Sequence, residues 1–360
     1  MSPAIPGAVK IAGGGLLAVG TIAAGTAIGI AVQRRLVSRS ILADTDWLIP
    51  TFTPEIRRLV MTDGTELHVE IDECEAEQPV ISVILCHGYA LSADSLVFQR
   101  AALQGKARVI SYDQRSHGRS GRAHHTTHTV EQLGSDLGTI IDEVAALGPI
   151  MLVGHSMGGM TIMALADQRP ELIAERVHGI AFIASTAGGL SDVAFGMPPV
   201  MRQIVHRAIP VVASVLARGK GIVETGRRAS SNVSELVFRA YSFGSAPSRQ
   251  ASEFVAEMID NTPIDVLAEF LPALQEHNRI SVLPSLSEVR TLVIVGEQDR
   301  MTPVIHSERI AASIHGSTLA IIPGGGHMVG IEFHEEVDAL IVDLLNHVKE
   351  DLAAERIQAS

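Results

Sequence analysis

A chain of 360 residues has room for one large domain with an insertion, or for two ordinary domains. Its apolar fraction of 46% and charged fraction of 19% exclude a disordered chain and leave a globular protein with a sizeable core. A formal net charge of −12 repels phosphate backbones and excludes nucleic acid as an expected partner, and the two cysteines, Cys74 and Cys86, imply neither a disulfide framework nor a zinc site.

The N-terminal segment, residues 1–40, stands apart. From Ile11 to Val32 there are 22 residues without a charge, enough to cross a bilayer as a helix. Lys10 precedes the stretch and Arg34, Arg35 and Arg39 follow it, which places the C-terminal side in the cytoplasm. The run is longer than the apolar core of a signal peptide, and Gly25 and Gly29 permit close helix pairing. The expectation is a hydrophobic helix that anchors the rest of the chain on the cytoplasmic side. A buried or surface-lying helix and an export signal are the alternatives.

Asp44 to Pro54 reads as a connector. Ile56 to Asp72 reads as a hairpin, because two apolar-rich stretches flank Asp63-Gly64. Val80 to Cys86 is a continuous apolar run, as expected of a strand buried on both faces, and it ends in His87-Gly88-Tyr89. Ser92 to Gln104 predicts a helix capped by Ser92. Arg108 to Tyr112 predicts a strand that leads into Asp113-Gln114-Arg115-Ser116-His117-Gly118-Arg119-Ser120. Val130 to Leu147 is amphipathic and helical, with apolar residues at 133, 137, 140, 141 and 144. Further strands are expected at Ile150 to Val153, His178 to Ala184, Thr291 to Val295 and Thr318 to Ile322, with helices at 160–168, 303–313 and 331–349. Strands and helices alternating at this spacing predict a mostly parallel sheet covered on both faces.

Residues 186–290 interrupt the alternation with helix-like patterning, and a structureless loop of that length is excluded by its cost. They are read as a helical cap inserted between core segments 41–185 and 291–350, with 351–360 as a tail. Residues 200–240 carry seven Lys/Arg against two Glu. The apolar stripe of Val200, Ile204, Val205, Ile209, Val212, Val215 and Leu216 runs through the same region. This is either a solvated basic face or a surface that docks on an anionic membrane. Phe195, Met197, Met201, Phe243, Phe254 and Met258 supply cap core, and some must face the site below.

The chain is organised around Ile150-Met-Leu-Val-Gly154-His155-Ser156-Met157-Gly158-Gly159, a buried strand, a Gly-x-Ser-x-Gly turn and a helix. A serine on so sharp a turn needs neighbours two residues away that lack bulk, and Gly154 and Gly158 supply this. The helix start places free N–H groups beside the serine. A base and an orienting acid should lie past the carboxyl ends of other strands. Asp299 follows the strand ending at Val295, in Gly296-Glu297-Gln298-Asp299, and His327 follows the strand ending at Ile322, in Pro323-Gly-Gly-Gly326-His327.

The order Ser, Asp, His and the surrounding motifs resemble the α/β-hydrolase superfamily over residues 55–350 outside the cap. His87-Gly88-Tyr89 resembles its oxyanion segment, Asp113-x-Arg115-x-His117-Gly118-x-Ser120 its loop after strand four, and Gly296-x-x-Asp299-x-x-x-Pro303 and Gly326-His327 the segments bearing acid and histidine. The resemblance implies an α/β-hydrolase fold with Ser156 as nucleophile, His327 as general base and Asp299 as its orienting acid. It implies an oxyanion hole from the backbone N–H groups of Tyr89 and Met157, supported by Gly154, Gly158, His87 and Gly88. No cofactor or metal is implied. Loop 113–120 and His155 are read as bracing, Cys86 as inert packing, Glu297 as the lesser candidate acid, and His124, His125 and His128 as a solvated loop rather than metal ligands. A serine nucleophile excludes the aspartate-dependent haloalkane and epoxide chemistries. The expected activity is hydrolysis of a carboxylic ester of a small lipophilic acyl substrate. Thioester or carbon–carbon hydrolysis, acyl transfer, cofactor-free perhydrolysis and a membrane-tethered binding module are the alternatives. Oligomeric state is not legible.

Overall fold

The computed structural model describes residues 48–74, 80–190, 241–245 and 247–359. The expected anchor at 11–32, the basic and apolar stretch at 200–240, and Phe195, Met197 and Met201 lie outside these residues. Among the described residues no helix is long and apolar enough to cross a membrane.

Among the described residues eight strands form one sheet in the order β1-β2-β4-β3-β5-β6-β7-β8. The hairpin strands β1 (Glu55–Val60) and β2 (Glu66–Asp72) are antiparallel, and β2 pairs antiparallel with β4 (Arg108–Tyr112). From β4 onward the sheet is parallel, through β3 (Ser82–Cys86), β5 (Ile150–His155), β6 (Val177–Ile183), β7 (Arg290–Gly296) and β8 (Thr318–Ile322).

The continuous apolar strands have helices on both sides. On one face Ile84, Cys86, Ile110, Ile150 and Leu152 pack with α2 (Val130–Val144) and α3 (Met157–Gln168). On the other, Val83, Leu85, Val109, Met151 and Val153 pack with Leu103 of α1 (Val97–Leu103) and with Val337, Ile341 and Leu345 of the last long helix. Alternate residues of each strand thus feed two cores. A short α4 (Pro170–Arg176) leads into β6. Two helices described within the cap, α5 (Arg249–Asn261) and α6 (Ile264–Glu276), carry amphipathic patterns. Phe243, Val255 and Met258 pack against Leu91, Val97, Phe98 and Met328. Val266, Phe270 and Leu274 pack against Met157 and Met160.

Several boundaries differ from expectation, among them the end of α2 at Val144 rather than Leu147. The segment after Ser92 opens as a 3₁₀ turn, Ala93–Leu96, before α1, with the Ser92 hydroxyl accepting from Asp94 N–H at 3.3 Å. The helix after the Gly-x-Ser-x-Gly turn (the elbow) starts at Met157, because Ser156 itself makes the turn. The last helical region divides into α8 (Val329–Glu332) and α9 (His334–Ala359), with α7 (Val304–Ser313) before β8. The break falls at Phe333, and α9 runs ten residues past the expected end, where Arg290 on β7 pairs with Asp351.

Strands β3 and β5 are neighbours, while the chain leaves β3 toward β4 on one side and continues from β5 toward β8 on the other. The carboxyl ends of β3 and β5 therefore border the crevice where an open α/β sheet gathers its ligands.

Candidate functional site

At the end of β5 the chain reverses on Ser156, whose φ of 51° and ψ of −114° lie in a region that side chains other than glycine rarely occupy. The turn is held by Ser156 N–H donating to Ile183 O at 2.9 Å and by the Ser185 hydroxyl donating to Ser156 O at 2.8 Å. Only small neighbours fit. A β-carbon at Gly154 would lie 2.6 Å from the Gly158 carbonyl, and one at Gly158 would lie 2.0 Å from Cys86 O.

The other two side chains arrive from β7 and β8. His327 Nε2 lies 3.0 Å from Ser156 Oγ, and His327 Nδ1 lies 2.9 Å from Asp299 Oδ2. The glycine-rich loop before His327 packs backbone against backbone, and a β-carbon at Gly326 would lie 2.1 Å from Gly244 N. Asp299 is itself fixed by the turn it starts. Its Oδ1 accepts from Met301 N–H at 2.8 Å and Thr302 N–H at 2.9 Å, and its Oδ2 accepts from the Thr302 hydroxyl at 2.8 Å. Burial alone would raise its pKa, but His327 and the Thr302 bonds outweigh that and keep the carboxyl below the ordinary value. Glu297 is exposed and accepts from Gly324 N–H, away from the histidine.

His155 Nε2 lies 3.0 Å from His327 O. Burial, with His327 close by, pushes the His155 pKa down to about 3, so the ring stays neutral and donates to that carbonyl. Cys86 is buried and its thiol is pushed up to about 12 by burial, which removes it as a thiolate nucleophile.

Loop 113–120 braces the floor. Asp113 accepts from Ala93 N–H, Arg119 N–H and Arg119 Nε, each at 2.8 Å. Arg115, with no exposed side-chain surface, pairs with Asp136 and Asp63 at 2.6 and 2.7 Å. One expectation here is corrected. His128 is not in a solvated loop: it is buried, stacks on Phe270 with ring centroids 4.5 Å apart, and bonds Ser116 through Nε2 at 2.8 Å. The cap helix α6 supplies the aromatic face that covers it, and local sequence carries no sign of that.

A cavity of about 100 Å³ opens above Ser156 and His327, and Gly88, Tyr89, His155 and Met157 line it with them. Its remaining walls are mainly aliphatic or thioether, including Leu91, Met160, Leu190, Val255, Leu271, Leu274, Met301 and Met328. As the first residue of α3, Met157 has an amide with no acceptor in its own helix. Tyr89 is tied to the cap by its hydroxyl, which donates to Leu267 O at 2.5 Å.

The structure therefore brings Ser156, Asp299, His327, Tyr89 and Met157 to one place. Sequence reading missed Thr302 and Ser185. Thr302 had a signal, because Asp-x-x-Thr before a proline is a turn in which the Asp side chain caps following amides. Ser185 had none.

Residues 83–340 match the model of the alpha/beta hydrolase family. Over 268 residues the chain is 26% identical to a protein of Caulobacter sp. (strain K31) named provisionally as the carbamate hydrolase RutD, covering 74% of this chain and 90% of that one. It is 24% identical over 294 residues to a non-heme haloperoxidase of Rhodococcus erythropolis, covering 80% and 97%. Among solved structures, a thermophilic esterase from Thermogutta terrifontis superposes with a TM-score of 0.61 at 24% identity, covering 82% and 99%.

Proposed function

The chain belongs to the alpha/beta hydrolase family, and we propose that it is a serine hydrolase cleaving a carboxylic ester of a lipophilic acyl substrate through an acyl-enzyme. The observation that carries this reading is the line of contacts from Ser156 Oγ to His327 Nε2 at 3.0 Å and from His327 Nδ1 to Asp299 at 2.9 Å, under an apolar cavity. Relatives named for carbamate hydrolysis and haloperoxidation share the fold, so the substrate class is argued from the cavity.

In this mechanism Ser156 Oγ attacks the ester carbonyl carbon as its proton passes to His327 Nε2. Asp299 holds Nδ1–H and stabilises the imidazolium that forms. The carbonyl oxygen takes up the electron pair and meets the N–H groups of Tyr89 and Met157. Losing one such donor costs about 3–4 kcal/mol in the barrier. The intermediate collapses by expelling the alkoxide, which takes the proton from His327. Water then attacks the acyl-enzyme, with His327 again as base, and releases the acid and Ser156. The aliphatic walls favour an apolar acyl chain. Met160, Met301 and Met328 adapt to its shape because their side chains are unbranched and polarizable.

Hydrolysis of a chain-length series of chromogenic acyl esters by the full chain, with Ser156→Ala alongside, tests the reading. Turnover that vanishes in the variant and improves from acetyl to longer chains is the expected result. Turnover that survives in Ser156→Ala refutes the serine mechanism, and preference for acetyl esters refutes the lipophilic assignment.

We also propose, from the uncharged run at 11–32 and the arginines after it, that the protein is membrane-anchored with its catalytic residues on the cytoplasmic side. Extraction of membranes with carbonate tests this: release of the full chain into the supernatant overturns it.

A further inference from the structure

The two amides assigned to the oxyanion differ in how they are held. The amide of Met157 shares its peptide with the Ser156 carbonyl, which is already locked by accepting Gly159 N–H at 2.9 Å in the first turn of α3. The amide of Tyr89 shares its peptide with the Gly88 carbonyl, in a loop where Ala90 stands at a φ of 64°. The backbone bond recorded to that carbonyl is the long turn contact from Leu91 N–H at 3.3 Å.

A side chain supplies what the loop lacks. His87 Nδ1 lies 2.7 Å from Gly88 O, while His87 Nε2 accepts from Gln114 N–H at 2.8 Å. An acceptor at Nε2 places the ring proton on Nδ1, which donates to the carbonyl. Because a trans peptide is planar, its C=O and N–H point in opposite directions, so pinning Gly88 O aims the Tyr89 N–H. The Gln114 side chain then ties this unit to the helix. Its Nε2 donates to His87 O at 2.6 Å, and its Oε1 lies 3.0 Å from the hydroxyl of Thr161, which shares its proton between that oxygen and Met157 O, also at 3.0 Å, one turn back along α3. Gln114 is buried and is not among the residues lining the cavity.

We propose that Gln114 is a positioning residue that sets the loop donor, Tyr89 N–H, in register with the helix donor, Met157 N–H, through His87 on one side and Thr161 on the other. This rests on the serine-hydrolase reading given above. A carboxamide suits the place because one planar group donates to His87 O and accepts from Thr161 at once. A carboxylate loses the donor, and an alkyl chain loses both and strands a buried carbonyl.

The experiment is inactivation of the full chain by an alkyl fluorophosphonate, whose attack by Ser156 also builds negative charge on an oxygen. It needs no knowledge of the natural ester. Gln114→Leu is expected to lower the limiting rate kinact about tenfold, since small misplacement of catalytic donors is costly, while KI stays within about twofold. Thr161→Val is expected to lower kinact in the same direction, Thr161→Ser to restore it, and the double variant to be no slower than Gln114→Leu alone. A folded Gln114→Leu with kinact within about twofold of the parent overturns the proposal, even if its unfolding midpoint drops. Should Gln114→Leu not fold, a Thr161→Val with unchanged kinact overturns it. A parent chain that is not labelled, or a Ser156→Ala that is, overturns instead the reading on which the proposal rests.

Discussion

Replacement of Gly158 by alanine probes the steric basis of the elbow. A β-carbon there would lie 2.0 Å from the Cys86 carbonyl oxygen and 2.6 Å from its carbon, where ordinary contact begins at 3.4 Å. The two segments must part by about 1.4 Å, and both obstacles are backbone, so no side-chain rotation relieves the clash. Cys86 is held opposite Gly154 in the β3–β5 ladder, so the displacement falls on the start of α3 and carries Ser156 and Met157 with it. The 3.0 Å contact between Ser156 and His327 cannot survive a shift of that size. Misplacing a reacting group by about 1 Å costs roughly a hundredfold, so kcat/KM should fall at least that far. Overpacking should also cost about 1–3 kcal/mol, lowering the unfolding midpoint by a few degrees. Ester turnover and fluorophosphonate labelling read the first effect, and thermal unfolding followed by circular dichroism reads the second. A Gly158→Ala chain within about threefold of parental kcat/KM would show that the junction yields freely, and the steric account of the turn would be wrong.

Two glycines one turn apart on α2 should respond in opposite senses. A β-carbon at Gly134 would come 2.8 Å from Leu165 N and Ala164 Cβ on α3, whereas one at Gly138 would meet nothing closer than 3.4 Å. Gly134→Ala should therefore cost about 1–3 kcal/mol in denaturant unfolding, and Gly138→Ala should stabilise by about 0.5–1 kcal/mol through helix propensity. Equal effects would refute the packing argument. Glu70 dominates a pH prediction. Burial would raise its pKa, yet bonds to His68 and Arg100 and the charges of Arg119 and Arg100 bring it from 4.5 to about 2. A folded pKa below the unfolded one gives stability that is complete above about pH 4.5 and lost as pH falls through 2, on the order of 3 kcal/mol. Glu70→Gln should flatten the pH dependence of unfolding between those values, and an unchanged slope would refute the assignment. Asp136→Ala leaves the fully buried Arg115 without its partner at 2.6 Å, so a loss of about 3–5 kcal/mol is expected. A loss below about 1 kcal/mol, measured by chemical denaturation, would show that Arg115 is held by its other contacts.

The fold was legible where strong local patterns coincide. Short apolar runs such as Val80 to Cys86, bounded by turn residues, suit strands covered on both faces, and Val83 and Ile84 do feed opposite cores. The amphipathic run from Val130 emerges as α2 for the same reason. Ser156 was legible from its local turn between Gly154 and Gly158, and Asp299 from its place after a strand together with the family resemblance. His128 was misread because its burial depends on Phe270, more than a hundred residues away on α6. The extension of α9 carries an ion pair, Asp351 with Arg290 on β7, that local sequence does not show.

Sequence alone determined the alternation of strand and helix and the sharp turn at Ser156, because each follows from short-range sterics and periodicity, while the choice of Asp299 and His327 to accompany Ser156 came from their places after strands and from the family resemblance. The tertiary structure decided what lies beside what: the 3.0 and 2.9 Å contacts that link residues 156, 327 and 299, and the apolar walls drawn from the cap. It also decided the link from His87 through Gln114 to Thr161. The physical reason is range. Backbone propensity acts over a few residues, whereas these contacts exist only because the crossover of β3 and β5 brings the ends of distant strands to one crevice.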